Sequence, residues 1–378
     1  MKRLFALLIV FNLLVATAVA ETTLTIREGS ESVFLDQYLT RHTDVEINSL
    51  FPQLMGDAFA SDVLTNPVYD LYEMTYGTTF IRLMEEGYLM PIEDQASIAW
   101  LEAAYPPLVE ALTYEGKLYG IPTPSDSSSG IIVWAYVPEN LEDAGLTELP
   151  STWIELLNMM ADWDPDNPYR LFGNDSVPML VEMIVDDYIL RYESLNEPLS
   201  FDTPAFRETM EALLRWHRAK PPVEIRPPLL QTLGIYFGEE DGGLRDDMRL
   251  IPPVTFLPDE TPIVTFDLFE VWGVSRRTKN ADVAMNLIAE AVEFMPEQIC
   301  YETIPDAIQP RENCLNQQTV DNINEVMQYV KINSVYVIGG KKHEFMDAIN
   351  RYLDGNLPLD MLVKQLDNVV EMITLERN

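Results

Sequence analysis

The sequence predicts an α/β protein with two lobes. Its N-terminal part alternates strand-like segments (Thr22–Arg27, Val45–Leu50 and Ser61–Thr65) with a helix at Phe80–Glu86 that ends at Gly87. Alternation of this kind is typical of parallel sheets covered by helices. The 378 residues exceed the usual size of one domain, and a hydrophobic content of 47% is ample for two cores.

The middle of the chain continues the alternation. An apolar strand is predicted at Ile131–Val137. Thr152-x-x-Glu155 has the spacing of a capping box, which predicts a helix start. Apolar residues at helical spacing then predict a face that packs in a core. These residues are Trp153, Leu156, Leu157 and Met160.

The C-terminal half follows the same logic. Phe201–Arg218 predicts a helix with Pro204 in its first turn, and Val271–Arg277 predicts a strand. Asn280 is a good N-cap for the amphipathic helix that comes next. Two further amphipathic helices, Glu344–Leu353 and Leu359–Leu375, are predicted at the end.

The N-terminus predicts export. A short basic start precedes an apolar run from Leu4 to Val15, and small residues end at Ala20. The run is too short to span a bilayer comfortably, so we expect a signal peptide that is cleaved after Ala20. The mature chain is then expected in the periplasm or outside the cell.

The charge of the chain excludes some partners. The formal net charge is -36 at pH 7, which repels nucleic acid and anionic membranes. Such a surface keeps an exported protein soluble, and it would also attract a cationic ligand. Net charge describes the surface and not a pocket, so both interpretations stay open.

Two cysteines stand in a chain expected to be exported. An even number of cysteines in an oxidising compartment predicts one disulfide, between Cys300 and Cys314. Closing this short loop would stabilise the fold by about 3 kcal/mol in the chain-entropy model. The spacing does not match the C-x-x-C pattern of redox sites, so the expected role is structural.

Catalytic and metal motifs find little support. His42, His217 and His343 lie far apart and lack zinc-site spacing. The turn at 127–130 has serines, but no partner base can be named. Residues 162–167 have the acidic spacing of a calcium loop, but Asn167 stands where that loop needs glycine. We therefore expect no catalytic residue, no metal and no cofactor.

Several segments together resemble a known family. GKLYGIP (116–122) and the T-W-x-E-L helix start (152–156) are followed by the strand-to-helix passage VWGVSRRTKN (271–280) and by DAIQPR (306–311). In this order they resemble the family 1, sugar-binding type of extracellular solute-binding proteins that serve ABC importers. The aromatic residue and the glycine of the third segment stand in a slightly different order from the family pattern.

The resemblance implies a type II periplasmic-binding-protein fold with a ligand cleft between two lobes. The expected lobes are residues 21–133 with 275–315, and 134–274 with 316–378. Chain crossings are expected near 132–136, 272–275 and 314–318. Such a protein captures a small solute as a monomer, closes around it and delivers it to permease subunits. Glu21 stands where lipid-anchored members have cysteine.

Candidate ligand contacts are polar and aromatic residues in segments that this fold would place in the cleft. Aromatic rings cover the apolar side of a sugar, and planar polar groups bind paired hydroxyls. A cationic solute in the same cleft, or an exported enzyme or adhesion protein with this fold, are the alternatives. The predicted contacts are Ser30, Glu31, Tyr69, Glu73, Tyr76, Asp126, Tyr136, Asn174, Phe237, Glu239, Glu270, Trp272 and Tyr336.

Overall fold

The computed structural model describes most of the chain after the N-terminal segment. The predicted signal peptide and both cysteines, Cys300 and Cys314, lie outside the described residues. The described residues are 22–27, 33–50, 61–63, 68–104, 106–124, 129–173, 175–195, 197–219, 226–236, 247–268, 270–298, 301–304, 307–310, 321, 323, 325–326, 328–332 and 342–377.

The first stretch of the chain alternates short strands with helices. Its elements are β1 (Thr22–Arg27), α1 (Val33–Arg41), β2 (Val45–Leu50), β3 (Leu71–Met74), α2 (Thr78–Glu85), α3 (Gln95–Ala104), α4 (Pro106–Leu112), β4 (Thr113–Tyr114), β5 (Lys117–Leu118) and β6 (Ile121–Pro122).

The rest of the chain has longer helices and a second set of strands. Its elements are β7 (Ser129–Tyr136), α5 (Pro138–Asp143), α6 (Trp153–Ala161), β8 (Arg170–Phe172), α7 (Val177–Leu195), α8 (Pro204–Ala219), β9 (Pro228–Tyr236), β10 (Arg249–Ile251), β11 (Val264–Leu268), β12 (Val271–Val274), α9 (Ala281–Gln298), β13 (Tyr301–Ile304), β14 (Ala307–Pro310), β15 (Val330–Ile332), α10 (Lys342–Leu353) and α11 (Leu359–Arg377).

The strands form two principal sheets. The first has the order β2-β1-β3-β12-β6, in which β1 is parallel to β2 and β3, and β12 is antiparallel to β3 and β6. The second has the order β15-β11-β7-β9-β8, with β10 also paired to β7. Strand β12 therefore enters the first sheet against its main direction, directly after β11 has left the second sheet.

Strand β7 contributes side chains to two separate hydrophobic clusters. Because side chains alternate along a strand, Ile131, Val133 and Ala135 face one hydrophobic cluster, which also contains the core of the first sheet. Trp134 faces a second cluster, built with α6, α7, α8, α10 and α11. Helix α6 packs the face that the sequence predicts: Trp153, Leu156, Leu157 and Met160 are buried.

One predicted strand is wrong. Residues 61–63 are helical, and the third strand of the first sheet is β3, which begins ten residues after the predicted start at Ser61. Val63 nevertheless packs in the first cluster. A short apolar run fits a strand or a buried helical turn equally well, so its period could not decide between them.

The chain changes sheets slightly away from the expected crossings. The first change falls between Pro122 and Ser129, ahead of the expected 132–136 segment, which lies inside β7. The second falls between Leu268 and Val271, ahead of the expected 272–275 segment. Residues 314–318 lie outside the described residues. Both crossings come earlier than expected, because β7 and β12 are continuous strands that each begin directly after the connection.

The GKLYGIP segment has an architectural role. Glu115 and Gly116 both have positive φ (49° and 76°), as a two-residue hairpin turn between β4 and β5 requires. At Gly120 an added Cβ would lie 2.7 Å from Val271 Cγ1 and 3.0 Å from the Phe80 ring. The second glycine therefore lets β6 approach β12 and α2 closely.

The capping box differs in one bond from the predicted motif. Thr152 Oγ1 accepts from Glu155 N at 3.2 Å, as predicted. The Glu155 carboxylate instead accepts from the backbone N and the hydroxyl of Ser151, each at 2.8 Å. These bonds hold the pKa of Glu155 below its ordinary value. None of the helices in the described part of the chain combines the length and apolar composition that a bilayer crossing needs.

Candidate ligand site

Polar residues converge at one edge of the first sheet. Arg27 is the last residue of β1, Glu73 lies near the carboxyl end of β3, and Glu270 directly precedes the antiparallel β12. These three positions therefore lie at the end of the sheet where the parallel strands β1 and β3 finish, which we call the ligand edge. In open α/β sheets, ligands bind outside the carboxyl ends of the strands, so this edge is the candidate site.

Hydrogen bonds tie these residues together. Arg27 Nη1 donates to the Glu73 carbonyl oxygen at 2.7 Å, and Trp272 Nε1 donates to Glu73 Oε2 at 2.9 Å. Nearby, the Tyr69 hydroxyl donates to Asp62 Oδ2 at 3.1 Å. We call this group the Arg27 cluster: Arg27, Asp62, Tyr69, Glu73, Glu270 and Trp272.

Arg27 is a partly desolvated cation that lies among three acids of the cluster. Burial lowers the pKa of Arg27, and the opposing influences come from its neighbours in the cluster. A guanidinium stays charged even so, because its ordinary pKa lies far above neutrality. The neighbours that raise the pKa of Arg27 are Tyr69, Glu73, Asp62 and Glu270. An edge that holds one cation, three carboxylates and several hydrogen-bond donors and acceptors suits a polar ligand.

Trp272 has a supporting position in this arrangement. It is fully buried, and its ring packs 6.0 Å from that of Phe34. It stands directly opposite Glu73 in the β3–β12 ladder, which brings its indole N–H to the Glu73 carboxylate. The sequence predicts Trp272 as a ligand contact, whereas the structure gives its ring no exposed surface.

The predicted tyrosines occupy three different places. Tyr69 belongs to the Arg27 cluster, and burial together with the bond to Asp62 raises the pKa of its hydroxyl. Tyr76 is buried in the first cluster, where burial and, to a smaller extent, Glu193 of α7 raise its pKa. Tyr136 lies at the end of β7 remote from the change of sheet, so the fold does not bring it to the Arg27 cluster.

Of the remaining predicted contacts, Glu270 belongs to the Arg27 cluster. Glu270 is partly buried, and its carbonyl oxygen accepts from Thr123 N at 3.0 Å, which joins the ends of β6 and β12. The other predicted contacts lie outside the described residues. They are Ser30, Glu31, Asp126, Asn174, Phe237, Glu239 and Tyr336.

Sequence reasoning missed Arg27 and Asp62. Arg27 carried a usable signal, because it is a charged residue at the carboxyl end of a predicted strand. Asp62 carried none, because the segment around it was predicted as a strand and is helical.

Solved structures with the same architecture cover nearly the whole chain. An ABC substrate-binding protein of Listeria monocytogenes in complex with cycloalternan has a TM-score of 0.64 at 15% identity, covering 94% of this chain and 99% of the other. A chitin oligosaccharide binding protein has a TM-score of 0.65 at 11% identity, covering 94% and 100%. The GacH receptor of Streptomyces glaucescens, solved unliganded and with acarbose, has a TM-score of 0.64 at 13% identity, covering 93% and 98%.

The chain has the two-lobe fold of periplasmic binding proteins. No protein-family model and no curated protein matches the sequence. Likeness at such low identity shows the fold and leaves the ligand open. The Arg27 cluster stands at the carboxyl ends of β1 and β3, where open α/β sheets bind ligands.

Proposed function

We propose that this protein is an extracytoplasmic solute-binding protein that captures a carbohydrate between its lobes and delivers it to an ABC permease. The observation that carries the proposal is the placement of the Arg27 cluster at the ligand edge of a two-lobe binding fold. The similar structures named above were solved with sugars or described as binding them, which supports this ligand class.

The chemistry of the cluster agrees with a neutral polyhydroxyl ligand. Arg27 can donate in a plane, and carboxylates such as Glu73 and Asp62 accept from paired hydroxyls. The cluster sets one cation among three carboxylates, and hydroxyl groups can donate to those carboxylates without adding charge to the site. In this proposal Trp272 positions Glu73, and the ligand contacts predicted from the sequence complete the site. They are Ser30, Glu31, Asp126, Asn174, Phe237, Glu239 and Tyr336.

Closure of the two lobes would couple capture to delivery. The changes of sheet between β6 and β7 and between β11 and β12 are the positions where a few residues can absorb the rotation. We place the lobes at the predicted boundaries of 21–133 with 275–315 and 134–274 with 316–378, adjusted to these two connections. The proposal includes removal of the first 20 residues, a monomeric mature chain and a Cys300–Cys314 disulfide.

A ligand screen on the mature chain tests the proposal. We expect a neutral oligosaccharide to raise the melting temperature in proportion to the logarithm of its concentration. The same ligand should reduce the radius of gyration in solution scattering, and Arg27→Met should abolish both responses. Turnover of the sugar, or sugar binding without compaction, would contradict a capture-and-closure role. A response to cationic solutes that depends on Arg27 cluster residues would favour the cationic alternative for the cleft.

A further inference from the structure

A second pocket lies in the part of the protein built around the second sheet. It opens between α7 and the connection 252–263 and has a volume of about 290 Å³, close to the lower end of the range for small-molecule sites. None of its lining residues belongs to the Arg27 cluster. We call it the Asp187 pocket, lined by Asp187, Arg191, Leu195, Thr255, Phe256, Asp259, Glu260, Thr261 and Ile263.

The walls of the pocket are held by local bonds. Thr255 is anchored to the start of α6, because Trp153 N donates to its carbonyl oxygen at 2.8 Å and its own N–H donates to the Ser151 carbonyl at 3.0 Å. Glu260 Oε2 accepts from the backbone N–H groups of Phe256 and Leu257 at 3.1 and 2.9 Å. These bonds fix the connection internally and against the start of α6.

One side of the pocket is apolar. Phe256 is buried and packs edge-on against Tyr188 with ring centroids 4.9 Å apart. Ile263 is buried beside it, and Leu195 is half-exposed at the end of α7. These side chains offer a hydrocarbon surface to part of a ligand.

The other side carries a carboxyl group in an unfavourable setting. Asp187 Oδ2 accepts from Trp153 Nε1 at 2.7 Å. Burial nevertheless raises the pKa of Asp187 to about 7, and the charges of Glu260 and Asp186 add to the increase. Arg191, whose guanidinium is bound to the Glu260 carboxylate, opposes this increase but does not cancel it. A bound cation would stabilise the ionised form of Asp187.

We propose that the Asp187 pocket binds a small organic cation, with its ammonium group against Asp187 and its hydrocarbon part on Phe256 and Ile263. An anion is disfavoured, because Arg191 is paired with Glu260 while Asp187 and Asp259 add negative charge. A metal ion is also disfavoured: within the described ranges, no three His, Cys, Asp or Glu side chains are grouped to hold one. This site goes beyond the proposed function, since it shares no residue with the Arg27 cluster.

Calorimetric titration with 1,4-diaminobutane tests the proposal, with 1-butanol as the uncharged probe of equal chain length. At pH 8 we expect saturable binding of the diamine and none of the alcohol. Asp187→Asn should weaken diamine binding at least tenfold. In the wild type, binding should be about tenfold weaker at pH 6 than at pH 8, since about one-tenth of a group with a pKa of about 7 is ionised at pH 6.

A matched variant controls for the acidity of the whole chain. Glu182 is an exposed acid on the same helix and does not line the pocket, so Glu182→Gln removes the same charge and should leave diamine binding unchanged. Equal losses in the Glu182→Gln and Asp187→Asn variants, the absence of saturation in the wild type or the absence of pH dependence would overturn the proposal. Circular dichroism would show that both variants are folded, and unchanged sugar binding by Asp187→Asn would separate this site from the cleft.

Discussion

Two buried tryptophans each donate an indole N–H to a carboxylate, yet the arginine beside each carboxylate is bonded differently. Trp272 donates to Glu73 at 2.9 Å, and Arg27 donates to the carbonyl oxygen of the same Glu73. Trp153 binds Asp187 at 2.7 Å beside further acids, so the pKa of Asp187 rises to about 7. We call the first region the compensated site, because Arg27 bonds to Glu73 itself, and the second the uncompensated site, because Arg191 bonds to Glu260 while the pKa of Asp187 stays raised.

The largest expected effect comes from removing the cation of the compensated site. Arg27→Met leaves Glu73, Asp62 and Glu270 together without it, so we expect a loss of about 3–5 kcal/mol in the free energy of unfolding. Arg27→Lys keeps the charge and should lose less, although it cannot reproduce the planar donor geometry. Urea denaturation measures both. Equal stability of wild type and Arg27→Met would mean that the acids are solvated and that the contrast between the two regions is absent.

The second prediction concerns the free energy of unfolding and how Asp187 of the uncompensated site makes it depend on pH. The folded-state pKa of Asp187 lies above its ordinary value of 3.8, so the folded chain binds the proton more tightly than the unfolded chain. Stability is therefore lost as the pH rises from about 4 to about 7, by at most about 4 kcal/mol at about 1.4 kcal/mol per pKa unit. Asp187→Asn should remove this loss and stabilise the protein at pH 8 relative to wild type.

Unfolding curves at pH 4 and pH 8 check this expectation. Asp186→Asn serves as the neighbouring comparison, because Asp186 contributes to the raised pKa of Asp187 only through its charge and ranks last among the causes. We expect a smaller gain from it. A destabilised Asp187→Asn at pH 8 would show that the ionised carboxylate is a favourable partner for Trp153.

A matched pair of tryptophan variants sharpens the comparison. Trp272→Phe and Trp153→Phe each remove one indole donor, which should cost about 1–3 kcal/mol. For Trp153→Phe the cost should be smaller at pH 5 than at pH 8, because the neutral carboxyl of protonated Asp187 accepts a weaker hydrogen bond than the carboxylate does. For Trp272→Phe it should change less with pH, because Arg27 still balances Glu73. The same pH dependence in both variants would remove the electrostatic distinction between the two regions.

The smallest effect concerns the backbone that supports the first region. Gly120→Ala would force a Cβ against Val271 and Phe80, and we expect a loss of about 1–3 kcal/mol together with weaker ligand binding. Gly116→Ala meets open space but keeps a positive φ, so we expect about 1 kcal/mol and unchanged binding. Melting curves and ligand titration distinguish the two, and equal effects on binding would argue against close packing beside β12.

Local patterns predicted much of the fold. The apolar face of α6, the Thr152 cap, β1, β2 and the C-terminal helices all lie where the sequence places them. Their signals are spacing and capping, which act over one or two turns of chain. The predicted strand at 61–65 failed because a short apolar run has too few residues to reveal its period.

The candidate site was predicted only in part. Tyr69, Glu73, Glu270 and Trp272 come together as expected of residues near strand ends, whereas Tyr136 lies away from them because β7 is entered from its other end. Arg27 donates a hydrogen bond to Glu73 in β3, and nothing in the sequence around Arg27 predicts this partner. Pairing across strands is a non-local property that a single sequence does not display.

The sequence by itself determined the alternation of elements, the acidic composition and the expectation of export. Only the tertiary structure decided that Trp272 supports Glu73 from a position 199 residues away, and that Asp187 lies partly buried near other acids at the wall of a pocket. The physical reason is that charge compensation and desolvation depend on which groups the folded chain brings within a few ångströms. Periodicity and capping, in contrast, are properties of neighbouring residues.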